Sequence, residues 1–317
     1  MDKIKYNPPK NIISHIDSNK SDFEQALKDL KQKILKSNHS SDTSALEQMQ
    51  IVEELKNFAL GQFLILNQGL NGPWTQYIVL HPQYGRLTSR GIDGKPLSKL
   101  EKWILDKCPI VLATQERFFI FQRILQNMLK DSIKIASIPC GLMDDLLGLN
   151  YSRIKGFTLT GIDLDAQSLE MARDNAVQNH LSHHAEFIEK DAWDIKLSNQ
   201  FDIITSNGLN VCEPDPNKNI MLYKNLYAAL KKGGTLITSF LTNPPEKCDN
   251  CKWDMSQISE EDLRMQRILL GDVLNLRWQA SYSDEKAMEG IIAASGFSSC
   301  NIIYDRQHLF PTVVATK

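Results

Sequence analysis

Ile133-Lys134-Ile135-Ala136-Ser137-Ile138-Pro139-Cys140-Gly141, and then Thr158-Leu159-Thr160-Gly161-Ile162-Asp163-Leu164-Asp165: both runs begin on β-branched and aliphatic residues and end on small or acidic ones. Such runs read as strands that stop at a turn. Working outward, the strands expected are Ile133–Ile138, Thr158–Ile162, Glu186–Glu189, Phe201–Thr205 and Thr235–Leu241. Helical spacing of apolar residues falls between and after them, at Ala166–Gln178, Asn219–Leu230, Glu260–Asn275 and Asp284–Ala294. Alternation of this kind implies an α/β fold with a parallel sheet and right-handed crossovers. The chain ends on two β-rich runs, Asn301–Tyr304 and Pro311–Thr316, too close together for another crossover, so a terminal antiparallel hairpin is expected.

Upstream of Lys130 the texture is different. Residues 1 to about 45 are polar, with helical spacing over Asp22–Leu35 and a loop over Lys36–Ser44. From Ala45 to Lys130 the patterns are mostly helical, interrupted at Asn67–Pro73 and at Gly85–Pro96. A chain of 317 residues exceeds the prior of about 150 residues per domain. The expected division is a mostly helical N-terminal extension, 1–130, and an α/β domain, 131–317.

Open α/β sheets bind ligands at the carboxyl ends of their strands, so those ends hold the candidate site. After the first strand, Pro139-Cys140-Gly141 gives either a close backbone approach to a ligand or an ordinary turn. After the second, Asp163 lies 22 positions beyond Gly141, the distance at which a carboxylate takes both hydroxyls of a ribose. The alternative is a solvated loop carboxylate, and Asp165 is the better cap for the next helix. After the third, Asp191-Ala192-Trp193 offers a carboxylate and a backbone N–H for adenine, with Trp193 as a flank. A surface turn is the competing reading. After the fourth, Asn207-Gly208 opens a loop that would carry backbone past the far end of the ligand.

Four signals in register are stronger than any one of them, and together they carry a resemblance. Residues 135–241 resemble a class I S-adenosylmethionine-dependent methyltransferase. Pro139-Cys140-Gly141 stands at the glycine-rich first motif, Asp163 with Leu164 at the ribose acid, Asp191-Ala192 at the adenine pair and Asn207-Gly208-Leu209 at the fourth motif. Leu230-Lys231-Lys232-Gly233-Gly234-Thr235-Leu236 resembles the turn into strand five. The resemblance implies a Rossmann-like, seven-stranded, mostly parallel sheet with an antiparallel final strand, and S-adenosylmethionine as cofactor. It departs from the pattern at Ser137, where the family has an acid, and at Pro139, where it has a glycine. Asp144 or Asp145, or residues just before the first strand, would then hold the methionine end. Arg117 is able to pair the methionine carboxylate, or is a solvated helix arginine.

Composition narrows the acceptor. Apolar and charged fractions of 42% and 23% are those of an ordinary globular protein. A net charge of -2 offers no general attraction to nucleic acid or to an anionic membrane. The N-terminus lacks an apolar secretory core, no run is long enough to span a membrane, and six scattered cysteines suit a reducing compartment, so a cytoplasmic location is expected. The expected acceptor is a small or lipid-like molecule admitted under the helical extension, with Trp74, Tyr77 and His81 as a lid wall or as packing. Methyl transfer needs positioning more than a catalytic side chain; Glu213 and His308 are the weak candidates for a base. A metal site is not expected, because Cys248 and Cys251 have no second pair. Asn243-Pro244-Pro245 resembles the substrate loop of amino-group nucleic-acid methyltransferases but follows the wrong strand. An NAD(P)-dependent oxidoreductase remains the alternative, since Asp163 would serve a dinucleotide ribose too, although the sequence lacks Gly-x-Gly-x-x-Gly. A non-catalytic nucleoside-binding relative of the fold is the other.

Overall fold

The computed structural model describes residues 20–36, 43–276 and 281–317. Most of the loop expected over Lys36–Ser44, and the N-terminal segment before residue 20, lie outside the described residues. The chain divides into two compact units, 1–115 with 258–279, and 116–257 with 280–317. The division passes through the helix Pro109–Met128.

The second unit is built on strands β1 (Lys134–Ser137), β2 (Thr158–Asp163), β3 (Ala185–Glu189), β4 (Phe201–Thr205) and β5 (Leu230–Ser239). A short pair follows, β6 (Leu241–Thr242) with β7 (Tyr282–Ser283), and then β8 (Ser299–Ile303) and β9 (Thr312–Thr316). The main sheet has seven strands in the order β3-β2-β1-β4-β5-β9-β8. All pairings from β3 to β5 are parallel, and β9 runs antiparallel to both β5 and β8. This is the sheet expected, including the terminal hairpin.

Both faces of the sheet are covered, which is why its strands read as nearly continuous apolar runs. Ile135, Ile203 and Ile237 pack with Phe121 and Leu125 on one face, alongside Leu169 of the helix Ala166–Gln178. Ala136, Ile204 and Leu236 face the other way, onto Leu222 and Leu226 of the helix Pro216–Ala229 and Met288 of the helix Glu285–Ala294. The turn expected before strand five is folded into β5 itself. Gly233 takes φ +74, and the β4–β5 register shifts from Phe201↔Leu230 to Ile203↔Thr235. Asp165 caps the helix Ala166–Gln178 by accepting from the N–H groups of Gln167 and Ser168.

The first unit is helical: Lys20–Lys36, Ala45–Leu55, Ala59–Asn67, Gly72–Leu80, Gly85–Thr88 and Lys99–Asp106. Side chains of Ser44, Asn71 and Ser98 cap three of these. The expected helix over Glu260–Asn275 is α-helical only over Glu260–Gln266 and continues as a π-helix over Arg267–Val273. Its wider turn brings Ile268, Leu269, Leu270 and Val273 all inward. Trp74, Tyr77 and His81 are interior to this unit: Trp74 packs on Phe63, Tyr77 donates to Glu101, and His81 bonds Asp106. Among the described residues no helix is long and apolar enough to cross a membrane.

Candidate functional site

Strand order reverses at β1, with β2 and β3 added on one side of it and β4 and β5 on the other. A crevice forms at the carboxyl ends of such strands. Ser137, the last residue of β1, is level with Gly161 of β2 and Thr205 of β4. Beyond it, the Ile138–Pro139 peptide is cis, Cys140 donates its N–H to the Ile162 carbonyl, and Gly141 turns at φ +48. The Cys140 thiol is buried, and that burial pushes it well above its ordinary pKa, so it stays protonated.

Asp163 stands where this turn meets β2. Its Oδ2 accepts the Gly141 N–H at 2.8 Å and its Oδ1 the Asp165 N–H at 3.0 Å. A carboxylate has about four lone-pair positions, so each oxygen keeps one for a ligand hydroxyl. The next residue, Leu164, is 67% exposed, an apolar side chain held out beside a carboxylate. A nucleoside fits that pairing, with hydroxyls on the acid and a base against the leucine. One strand over, Asp191 Oδ1 accepts the Trp193 N–H and caps a single 3₁₀ turn, Ala192–Asp194. The Trp193 indole N–H is turned to the Lys218 carbonyl at 3.2 Å, against the helix Pro216–Ala229.

At the other side of the crevice two buried charges face the sheet. Asp145 accepts from the Ser137 hydroxyl, the Thr205 hydroxyl (2.6 Å) and the Leu146 N–H, and so spans the ends of β1 and β4. A carboxylate is therefore present beside Ser137 although the strand itself carries none. The turn after Met143, at φ +57, points the two neighbouring acids apart: Asp144 accepts from Asn175, Asp145 goes inward. Burial pushes the Asp145 carboxyl above its ordinary value, opposed by the bonds from Thr205, Ser137 and Leu146.

Arg117 lies one strand further along. Its Nη1 donates to Asn207 Oδ1, past the end of β4, and to the Ser239 hydroxyl of β5 at 3.1 Å. The Phe310 ring covers the guanidinium at 4.3 Å and Phe121 lies at 5.5 Å. Arg117 is 6% exposed, and its Nε is sealed with no acceptor among the described residues. An unsatisfied buried donor costs about 1–3 kcal/mol, more when charged. Burial brings Arg117 down to about 10, with Asp145 and Asp305 opposing. Asp305 is itself buried and accepts the N–H groups of Gln307, Leu309 and Phe310, which sets the loop that carries Phe310. Gly208, at φ +93, has open space where a side chain would begin.

The structure thus brings Gly141, Asp163 and Leu164 together and gathers Arg117, Asn207 and Asp145 nearer β4. Ser239, Asp305 and Phe310 went unnoticed in the sequence. The two base candidates have other employment. Glu213 accepts from the Asp215 N–H and from Lys218, which hold its carboxyl below the ordinary value at the start of the helix Pro216–Ala229. His308 stacks on Tyr304 at 4.3 Å, with Nδ1 3.1 Å from the Lys252 carbonyl.

A family model described as a methyltransferase domain matches residues 129–280. Among solved structures, one described as a possible exported protein from Bordetella parapertussis is 35% identical, over 94% of this chain and 96% of that one, with a TM-score of 0.87. Phosphoethanolamine N-methyltransferase 2 from Haemonchus contortus, in complex with S-adenosyl-L-methionine, is 15% identical over 63% of this chain and 52% of that one, TM-score 0.45. A SAM-dependent methyltransferase from Aquifex aeolicus is 14% identical over 64% and 92%, TM-score 0.45. No curated protein matches. The match takes in the carboxyl ends of β1 to β5, and residues 129–280 form a methyltransferase domain of the class I S-adenosylmethionine-dependent superfamily, with S-adenosylmethionine as its cofactor.

Proposed function

We propose that the protein transfers the S-adenosylmethionine methyl group to a small-molecule acceptor. The observation that carries this is the Asp163 carboxylate, tied to the Gly141 N–H at the strand-order reversal and flanked by the exposed Leu164. Asp163 takes the ribose, Asp191 and the Ala192 N–H take adenine, and the chain at Pro139-Cys140-Gly141 runs along the methionine, whose ammonium meets the Asp145 carboxylate. Asn207 and Gly208 border the methyl group. With Glu213 and His308 bound into local structure, rate enhancement comes from holding the acceptor in line behind the methyl group in a dry site. The acceptor either brings a neutral nucleophile or loses its proton to water. A reducing compartment belongs to the same proposal, since all six cysteines are free thiols. Incubating the protein with S-adenosylmethionine and fractionated small metabolites should release S-adenosylhomocysteine, and Asp163→Ala should abolish the release. Oxidation of NADH coupled to reduction of a metabolite in the same fractions, with no release of S-adenosylhomocysteine, would instead replace this reading with the oxidoreductase one.

A further inference from the structure

We propose that Arg117 anchors a carboxylate of the methyl acceptor, so that the acceptor is a small organic monoacid. The inference rests on the methyltransferase reading and names the substrate class of the same site.

Position is the first argument. Asp145 bridges β1 and β4, whereas Arg117 bridges β4 and β5 and is covered by Phe310, two residues before β9. The cofactor's methionine end belongs over β1 and β4, between Gly141 and Asn207. Arg117 bonds Asn207, which borders the methyl group under the proposed function, and extends from there to Ser239 of β5, away from Gly141.

Donor geometry is the second. Nη1 is engaged by Asn207 and Ser239, and Phe310 and Phe121 lie against the guanidinium, so the Nε–Nη2 edge is the one without a hydrogen-bond acceptor among the described residues. That edge presents two parallel N–H groups, the fork that a carboxylate engages with both oxygens. Nε has no acceptor among the described residues. Nearby, Thr312 is the cross-strand partner of Ser239, so its side chain lies on the same face of the sheet, and its buried hydroxyl also has no partner among the described residues.

Charge is the third. The carboxylates that act on Arg117, Asp145 and Asp305, are held by hydroxyl and backbone donors rather than ion-paired to it. One buried cation balances one negative charge. A carboxylate supplies that charge, while a phosphate brings about −1.5 to −2 at neutral pH and leaves an excess in a dry site.

The test uses the full chain, calorimetry and defined probes. Benzoate, with benzamide as its uncharged counterpart, is titrated into protein saturated with S-adenosylhomocysteine. Arg117→Gln and Arg117→Lys are compared with the parent; lysine keeps the charge and loses the fork. Circular dichroism reports folding, and the lysine variant carries the test if glutamine does not fold. Benzoate should bind far better than benzamide, and both substitutions should weaken it about 10- to 100-fold. S-adenosylhomocysteine affinity should stay within about twofold. An analogue of S-adenosylhomocysteine lacking only the carboxylate should lose the same factor in parent and variants. If that factor vanishes in the variants, Arg117 holds the cofactor's carboxylate and the proposal is overturned. Equal benzoate binding in parent and variants, or none in the parent, also overturns it. If the parent fails to bind S-adenosylhomocysteine yet binds benzoate through Arg117, the methyltransferase reading falls, and the acceptor role with it, while the anion site remains.

Discussion

Replacing Asp305 by alanine removes, in one step, the acceptor for three backbone N–H groups: Gln307 at 3.1 Å, Leu309 at 3.3 Å and Phe310 at 2.7 Å. Asp305 is 1% exposed, so water does not reach those groups without opening the loop. A buried donor left unsatisfied costs about 1–3 kcal/mol, which bounds the loss for a rigid loop at about 3–9 kcal/mol. Two considerations favour the lower part of that range. The Leu309 bond is long, and burial already penalises the Asp305 charge, pushing its carboxyl above the ordinary value. The expected destabilisation is therefore about 3–5 kcal/mol. In a unit of this size each kcal/mol lowers Tm by about 2–4 °C, so the midpoint should fall by about 10 °C. Urea and thermal unfolding of parent, Asp305→Ala and Asp305→Asn would measure it, with asparagine losing less because one carbonyl oxygen remains. A loss under about 1 kcal/mol for alanine would refute the reasoning, since the three N–H groups would then have other acceptors within reach.

Other substitutions probe separate links. Leu164→Ser touches a side chain that is 67% exposed, so stability should change by no more than about 0.5 kcal/mol while S-adenosylhomocysteine binds about fivefold more weakly. Unchanged affinity in calorimetry would mean that no base lies against Leu164. Asp145 has a folded-state pKa above its unfolded value, so its charge opposes folding at neutral pH and the parent gains stability as pH falls toward about 4. Asp145→Asn lacks that gain; the stability difference, parent minus variant, should rise as pH falls from 7 to about 4, and a flat or falling difference over that range in urea melts would remove the argument. In the first unit, a Cβ on Gly61 would lie 2.1 Å from the Leu55 carbonyl oxygen, a backbone atom with little room to yield. Gly61→Ala should cost about 3 kcal/mol, the upper end of the usual cost of overpacking, and a thermal midpoint equal to the parent's would contradict the packing described.

Much of the fold was legible because its signals are local. The helix Ala166–Gln178 begins and ends where expected, since Asp165 is a cap readable from sequence and the apolar spacing follows it. The strands are short apolar runs whose residues alternate between two covered faces. Asp163 was found by its distance from Gly141, and the two do meet. What stayed hidden depends on contacts far apart in the chain. No local feature separates Asp144 from Asp145; the left-handed turn at Met143 decides which one reaches Ser137 and Thr205. Trp193 reads as an adenine flank in the sequence, and only the fold shows that its indole N–H is held by the Lys218 carbonyl. Ser239, Asp305 and Phe310 look like ordinary strand and loop residues, and acquire their roles only when β9 returns beside β5 and sets Phe310 over Arg117. The π-helix over Arg267–Val273 has the apolar spacing of an α-helix, and the change in hydrogen bonding leaves no mark in the sequence.

The central claim is that Asp163 holds the ribose of S-adenosylmethionine. Calorimetric titration of the parent and Asp163→Ala with S-adenosylmethionine, S-adenosylhomocysteine and NADH tests it most directly. Binding of the first two at about micromolar affinity, lost in the variant and with no binding of NADH, is the predicted result. Binding of NADH alone, or equal binding of S-adenosylmethionine by parent and variant, would contradict it.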